Sequence, residues 1–359
     1  MLELTVFSPY DRKPISTLPL QGPSEAENFV HNAKLLFEDK NSALPKYKRI
    51  EILEKAARLM QEKREELIIT ALSEGGKPYI DSAVEVDRAI LGVRLAAQYL
   101  GERHGQEIPM NLTASSAERF AFTLNEPIGP ILAISAFNHP LNLIVHQAVP
   151  AIAVGAPVIV KPSLMTPLSC LRLAELFYEA GLPARWFQVL LCENTVAQNL
   201  VSDSRIRFFS FIGSAKVGYS LRQTLAPGVG CTLEHGGAAP LILTDKYDWQ
   251  KAVAPIAKGG FYHAGQVCVS VQRVFAPKAF AAAFAESLAQ MATGLKVGDP
   301  YSPETEIGPL ITPQELNRVH QWVQEALADG AELLCGGKPI SSTCYAPTVL
   351  FNPSYQSKV

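Results

Sequence analysis

The sequence predicts an α/β protein built on a doubly wound parallel sheet, and three observations lead there. From residue 131 onward short β-rich runs alternate with helical segments: ILAISAF, VIV, WFQVLL and RFFSFI each precede a helix-like stretch. Such alternation builds parallel strands joined by crossover helices, with ligands gathering at the strands' carboxyl ends. The chain has 359 residues, more than one hydrophobic core usually organises, so a second domain is expected. Its composition, 48% hydrophobic and 18% charged, belongs to a globular chain and carries no signature of disorder.

The elements follow in order. In KYKRIEILEKAARLMQEKREELIITALSEGG, the side chains of Ile50, Leu53, Ala57, Met60 and Leu67 fall on one helical face, and Gly75-Gly76 supplies a stop. Residues 118–125 alternate apolar and polar before Pro127 and Gly129, which predicts a strand or hairpin arm with one wet face. ILAISAF (131–137) reads as a strand, and Pro140 opens a helix that ends near Gly155. VIV (158–160) is a buried strand ending at Lys161. Thr166 then N-caps a helix with Pro167 at its first position, Gly181 just past its end and Pro183 beyond. Strands at 186–191 and 207–212 follow, with helices at about 195–202 and 217–226. A second alternating segment begins after 240: PLILTD, a helix through Trp249 and Ala257, a cysteine-bearing loop, the strand VQRVF and an Ala-rich helix at 278–293. A domain boundary is expected near 235–240.

Several function classes are disfavoured. Net charge is −2 and no Lys/Arg cluster marks a face for nucleic acid or anionic lipid. The start, MLELTVFSPYD, lacks the basic and apolar regions of a secretory leader. The apolar run around 141–160 is broken by His146, Pro150, Gly155 and Pro157, so no membrane span is expected. The six cysteines, 170, 192, 231, 268, 335 and 344, have no metal-ligand spacing and read as reduced thiols of a cytoplasmic protein without a metal.

The chemistry-bearing candidates cluster at strand ends. Cys268, in GGFYHAGQVCVSVQRVF, is either a small hydrophobe entering a strand or a nucleophile at its mouth. GSAKVG (213–218) lies between a strand and a helix, where Gly213 permits a tight turn and free N–H groups could meet a diphosphate. Lys161 is either a snorkelling strand-terminal lysine or a ligand of a small molecule. Asn138, in AFNHP, is an N-cap or an oxyanion donor. Glu234, in TLEHGGAAP, ends an apolar segment, where a carboxylate needs a partner or a task. His235 and His263 are structural residues or bases. A thiol, a carboxylate, a carboxamide and a phosphate-binding turn in one α/β framework suit covalent catalysis on a carbonyl with a dinucleotide alongside.

Five ordered motifs carry a resemblance: EPIGPILAISAFNHPLN, VIVKPS with TP after it, FIGSAKVG, LEHGG and GQVC. With SEGGKP (73–78), GDPYSPETEIGPLIT (298–312) and CYAPTVLFNP (344–353), they span most of a chain that resembles the aldehyde dehydrogenase superfamily. The resemblance implies that family's fold, a dinucleotide-binding domain over 1–110 and 132–235, a bridging and oligomerisation hairpin over 111–131, and a catalytic domain over 236–359. It further implies NAD(P)-dependent oxidation of an aldehyde to a carboxylic acid in a homo-oligomer, dimer or tetramer. Cys268 resembles the nucleophile, Glu234 the general base and Asn138 the side-chain half of the oxyanion hole. Lys161 resembles the lysine on the adenosine ribose, Gly213 and Ser214 match the turn beside the diphosphate, and Phe137, Ser163, Leu164 and Gly236 fall at further cofactor positions.

Three departures from the family pattern stand out. Leu164 stands where many NAD-preferring relatives carry a ribose-binding glutamate, which opens the site to NADP. His235 replaces a usual leucine beside the base. The chain stops at Val359, ahead of the Glu-x-Phe-Gly-Pro segment that grips the nicotinamide ribose, so the catalytic domain is expected to be incomplete. Two alternatives stand beside the dehydrogenase: an impaired fragment retaining dinucleotide binding, and a cysteine-dependent acyl-transfer or hydrolytic enzyme using His263 or His235.

Overall fold

The computed structural model describes residues 2–359. Strands β1 (Glu3–Phe7) and β2 (Pro14–Pro19) pair antiparallel and lead into α1 (Pro23–Glu38). Three helices follow: α2 (Lys46–Glu62), α3 (Arg64–Gly75) and α4 (Tyr79–Glu102). The expected apolar face is present, with Leu53, Ala57, Met60 and Leu67 buried and Ile50 packed against them. That stretch is two helices, because the chain breaks at Lys63. Gly76 ends α3 at a φ of 69°, a left-handed conformation that favours glycine.

Strands β3 (Glu107–Ile108) and β4 (Ala121–Phe122) form a short antiparallel pair. The arm expected over 118–125 is thus two residues of strand. No layer covers it, and Phe120, Phe122 and Leu124 are exposed.

The central sheet is assembled from β5 (Ile131–Ile134), α5 (Asn142–Val154), β6 (Val158–Lys161), α6 (Leu168–Glu179), β7 (Phe187–Val189), α7 (Asn194–Val201), β8 (Phe208–Gly213), α8 (Ala215–Arg222) and β9 (Gly230–His235). Its order is β7-β6-β5-β8-β9, all parallel. The chain moves outward from β5 to β7, then returns to lay β8 on the other side of β5. That reversal opens a crevice at the carboxyl ends of β5 and β8. Strand side chains alternate faces, so Val158 and Val160 enter the core under α2 to α6, while Ile159 joins Leu132, Phe209 and the apolar side of α1. The sheet is covered on both faces, as a doubly wound fold requires.

Several boundaries differ from the sequence expectation, each for a local reason. The strand expected over 131–137 stops at Ile134, and the chain leaves the sheet after the Ser135 N–H reaches the Lys161 carbonyl (3.0 Å). Thr166 does not cap α6; its N–H goes to the Ser163 carbonyl (3.1 Å) and its hydroxyl to the Phe137 carbonyl (3.4 Å), and Pro167 takes the cap position. The helix expected at 217–226 starts at Ala215, because the Ser214 hydroxyl accepts the Val217 N–H (3.4 Å).

Beyond β9, β10 (Leu241–Ile242) pairs in parallel with β11 (Val274–Phe275), flanked by α9 (Val253–Phe261) and α10 (Ala281–Gly294). Only two residues of VQRVF are strand. The remainder is α11 (Pro313–Ala328) and the antiparallel pair β12 (Glu332–Cys335) and β13 (Val349–Phe351). Among the described residues no helix is long and apolar enough to cross a membrane, and no cluster of His, Cys, Asp or Glu could hold a metal ion.

Candidate active site

The carboxyl end of β5 carries Phe137 and Asn138, both half-buried. Asn138 is not the cap of the following helix: Leu141 occupies that position and caps nothing with its side chain. The Asn138 Nδ2 instead donates to the Gln266 carbonyl at 2.8 Å, 128 residues along the chain. An amide nitrogen carries two hydrogens, so this bond uses one and leaves the other for a further acceptor.

Gln266 belongs to the loop that carries Cys268, and its side chain fixes that loop. Its Nε2 donates to the carbonyls of His263 (3.1 Å) and Pro309 (3.2 Å), and its Oε1 accepts the Ile311 N–H (2.9 Å). His263 and Ala264 adopt positive φ values of 49° and 54°, backbone conformations that only surrounding contacts can hold in non-glycine residues. Cys268 itself is exposed and lies on a turn, closed by the Ser270 N–H to the Val267 carbonyl (3.0 Å). It is therefore neither a buried hydrophobe nor at a strand's mouth, since β11 begins only at Val274.

Glu234 corrects a sequence argument. It does not end a buried segment; it is exposed on β9, the outermost strand, where successive residues alternate between exposed and half-buried. Past it, the chain turns toward the cysteine loop. The Gly236 N–H donates to the Gly213 carbonyl (3.3 Å), the Gln272 N–H to the Ala238 carbonyl (3.2 Å), and a β-carbon at Gly237 would lie 3.4 Å from the Cys268 carbonyl. The structure thus brings together the end of β5, the end of β9 and the loop of Cys268.

The histidines are placed differently from bases. His263 is fully buried beside the rings of His139 and Tyr262, and neither ring nitrogen has a partner or reaches solvent. Burial drives its pKa well below the usual imidazole value, so the ring is neutral. His235 packs edge-on against Tyr219 with ring centroids 4.9 Å apart, its Nε2 also buried.

On the other side of the crevice, Lys161 ends β6 and is buried, its Nζ donating to Asn194 Oδ1 at 3.0 Å. Burial pulls its pKa down. The Ser163 hydroxyl accepts the Met165 N–H (3.2 Å), which turns the chain and leaves Leu164 half-buried at the bend. Gly213 and Ser214 join β8 to α8. The glycines of GSAKVG have packing duties that the sequence did not show: a β-carbon at Gly213 would lie 2.6 Å from the Phe211 ring, and one at Gly218 would lie 2.4 Å from His235 Nε2. Around Gly236, by contrast, there is open space.

Three buried charged residues escaped the sequence reading: Glu74, Lys77 and Glu85, each at most 1% exposed. Glu74 accepts the N–H groups of Leu168 (2.6 Å) and Ser169 (2.8 Å) at the start of α6. Glu85 does the same at the start of α5 and pairs with Lys77. A signal was present, because Asp81 and Glu85 share the helical face of the buried Ala89 and Val93.

Comparison with known proteins follows the same geometry. The profile of the aldehyde dehydrogenase family matches residues 2–359. The 3-sulfolactaldehyde dehydrogenase of Priestia aryabhattai is 35% identical over 358 residues, covering 99% of this chain and 74% of that protein. The glyceraldehyde-3-phosphate dehydrogenase of Methanocaldococcus jannaschii, solved with NADP, superposes with a TM-score of 0.90 at 34% identity, over 97% of this chain and 75% of that one. Aldehyde dehydrogenase 21 of Physcomitrella patens, solved with succinate, gives 0.94 at 30% identity, over 99% and 74%.

Proposed function

The chain belongs to the aldehyde dehydrogenase family, and from that premise we propose that it oxidises an aldehyde to a carboxylic acid, with NAD or NADP, through an acyl-cysteine on Cys268. The observation that carries the mechanism is the 2.8 Å bond from Asn138 Nδ2 to the Gln266 carbonyl, which ties the carboxamide to the nucleophile's loop. Cys268, as thiolate, adds to the aldehyde carbon. The oxygen that becomes an alkoxide is held by the second Asn138 amide hydrogen and the Cys268 backbone N–H. Glu234, exposed at the edge of the sheet, takes a proton from the water that hydrolyses the thioester. The buried, neutral His263 argues against a histidine-driven hydrolase.

The residues at the crevice fit a dinucleotide. Lys161 and Asn194 offer polar groups for a ribose, Ser214 and the first turn of α8 offer N–H groups for the diphosphate, and the open space at Gly236 admits a ligand. Phe137 and Ser163 flank it from the β5 and β6 side. When bound, the cofactor supplies the hydride acceptor. Leu164 presents no carboxylate to the ribose, so NADP is accepted as well as NAD, in keeping with the NADP complex of the Methanocaldococcus jannaschii relative. In this proposal residues 1–110 and 132–235 hold the cofactor, 111–131 bridge copies in a homo-oligomer, and 236–359 carry the nucleophile.

The test is NAD(P)H formation with short aliphatic aldehydes by the wild type and by Cys268→Ala. The variant is expected to lose turnover while binding dinucleotide as before. A loss of only a few-fold in kcat would sink the assignment of Cys268.

A further inference from the structure

Helix α5 begins shortly after Asn138, and its start is held from outside. Glu85 lies 56 residues earlier, in α4, and its Oε1 accepts the N–H groups of Leu141 (2.9 Å) and Asn142 (3.0 Å). First-turn N–H groups have no partner within their own helix, so an external acceptor decides where the helix begins and how the chain enters it. The other carboxylate oxygen pairs with the Lys77 ammonium, and both side chains are fully buried. Burial, the largest single influence, would push the Glu85 carboxyl up; the adjacent Lys77 charge, the His139 ring and the hydrogen bonds from Lys77 and Asn142 together outweigh it and hold the carboxyl below the usual range.

The contacts close into a ring. Lys77 leaves the turn at Gly76, where a β-carbon would lie 2.8 Å from Pro309 Cγ, so the turn packs directly on that proline. The Pro309 carbonyl and the Ile311 N–H in turn hold the Gln266 side chain. Gln266 receives the Asn138 amide on its carbonyl, and Asn138 leads back to the helix start that Glu85 grips. The links are hydrogen bonds, the buried ion pair and the packing of the Gly76 turn on the Pro309 ring, and the bridging side chains of Lys77, Glu85, Gln266 and Asn138 are each held by such a contact.

We infer that Glu85 is a positioning residue for Asn138: by fixing the start of α5 it aims the Asn138 amide at the substrate oxygen, and Lys77 orients Glu85 for that task. This rests on the assignment of Asn138 as oxyanion donor. A group held by such a ring delivers its hydrogen bond without reorganising when charge develops, whereas a misplacement of about 1 Å costs roughly 100-fold.

The experiment is a double-mutant cycle in steady-state turnover. Lys77→Met/Glu85→Leu removes the acceptor without stranding a buried charge, and Glu85→Asp keeps the charge but shortens the reach. Each is measured alone and with Asn138→Ala, and folding is checked by circular dichroism. Expected are losses in kcat of about 10- to 100-fold for either exchange, with dinucleotide Kd unchanged. In the Asn138→Ala background the same exchange should cost less than about 3-fold, since its means of action is already gone. Lys77→Met/Glu85→Gln, which retains an oxygen for the two N–H groups, should recover most of the activity. Equal losses in both backgrounds would overturn the inference and leave Glu85 a general packing residue. If the Leu pair does not fold, Glu85→Asp decides the same question. Full activity in Asn138→Ala alone would instead sink the oxyanion assignment on which the inference stands.

Discussion

Glu74 should make the stability of this protein fall as pH rises through the neutral range. Its side chain is fully buried near the end of α3, and burial raises its pKa from 4.5 to about 8 against the lowering effect of the hydrogen bonds it accepts from Ser169 and Leu168. The folded state therefore binds this proton more tightly than the unfolded chain between about pH 4.5 and 8. The sign follows: the contribution is complete below about pH 4.5 and is lost as pH climbs to about 8, at up to roughly 1.4 kcal/mol per pH unit. The full interval sets an upper bound of roughly 5 kcal/mol for one such group. Glu74→Gln cannot titrate. It keeps one oxygen for the start of α6 and leaves the other N–H unpaired, which costs about 1–3 kcal/mol at every pH. Urea unfolding of both proteins at about pH 5, 7 and 9 separates the two effects. The wild type should be the more stable at the acid end, with its advantage shrinking or reversing at the alkaline end. A difference between the two proteins that stays constant across the series would show that Glu74 does not titrate in this window, and the burial argument would fail.

Glu234→Gln should slow deacylation, so that an acyl adduct accumulates on Cys268 and is seen by intact mass under turnover; absence of any adduct counts against Glu234 as the base. Leu164→Glu should shift preference toward NAD by about 10- to 100-fold, since a carboxylate at the bend would repel a 2′-phosphate. Titrating both cofactors against both proteins measures it, and an unchanged ratio means that residue 164 does not read the phosphate.

Much of this architecture was legible in the sequence because it depends on local patterns. The runs at 158–160 and 207–212 read as strands since β-branched and aromatic residues bounded by Gly and Pro have few other uses, and both are strands of the sheet. Gly155 closes α5 at a φ of 87°, as a glycine at that place should. What failed depended on distant partners. Glu234 looked buried because its flanks are apolar, but burial in an outer strand depends on what lies beyond it. Thr166 had the identity of an N-cap, and the Glu74 carboxyl group, 94 residues away from Leu168, had already taken that work. Likewise the ambiguity of Cys268 could not be settled by its β-branched neighbours; its exposure follows from Gln266 and the 309–311 segment, which lie outside its own run.

The caps explain why Asn138, which the sequence offers as a helix cap or an oxyanion donor, does not act as a cap. In an α/β sheet each ligand-facing loop ends in a helix whose first N–H groups need acceptors. The usual solution is a local Asn, Asp, Ser or Thr, which then cannot serve a ligand. Here neither α5 nor α6 has a side-chain cap of its own; Leu141 and Pro167 stand at those positions. Glu74, near the end of α3, and Glu85, early in α4, serve both helices from either side of the turn that joins α3 to α4, and their burial keeps competing water away from those bonds. The arrangement has an energetic cost, since the Glu85 carboxylate, the Lys77 ammonium and the Glu74 carboxyl group leave water, and the ion pair and helix-start bonds offset it. Its effect is to relieve the loops after β5 and β6 of capping. Under the proposed function the Asn138 amide is then free to face a substrate oxygen, and the Lys161 ammonium a ribose, on backbone that the two glutamates hold.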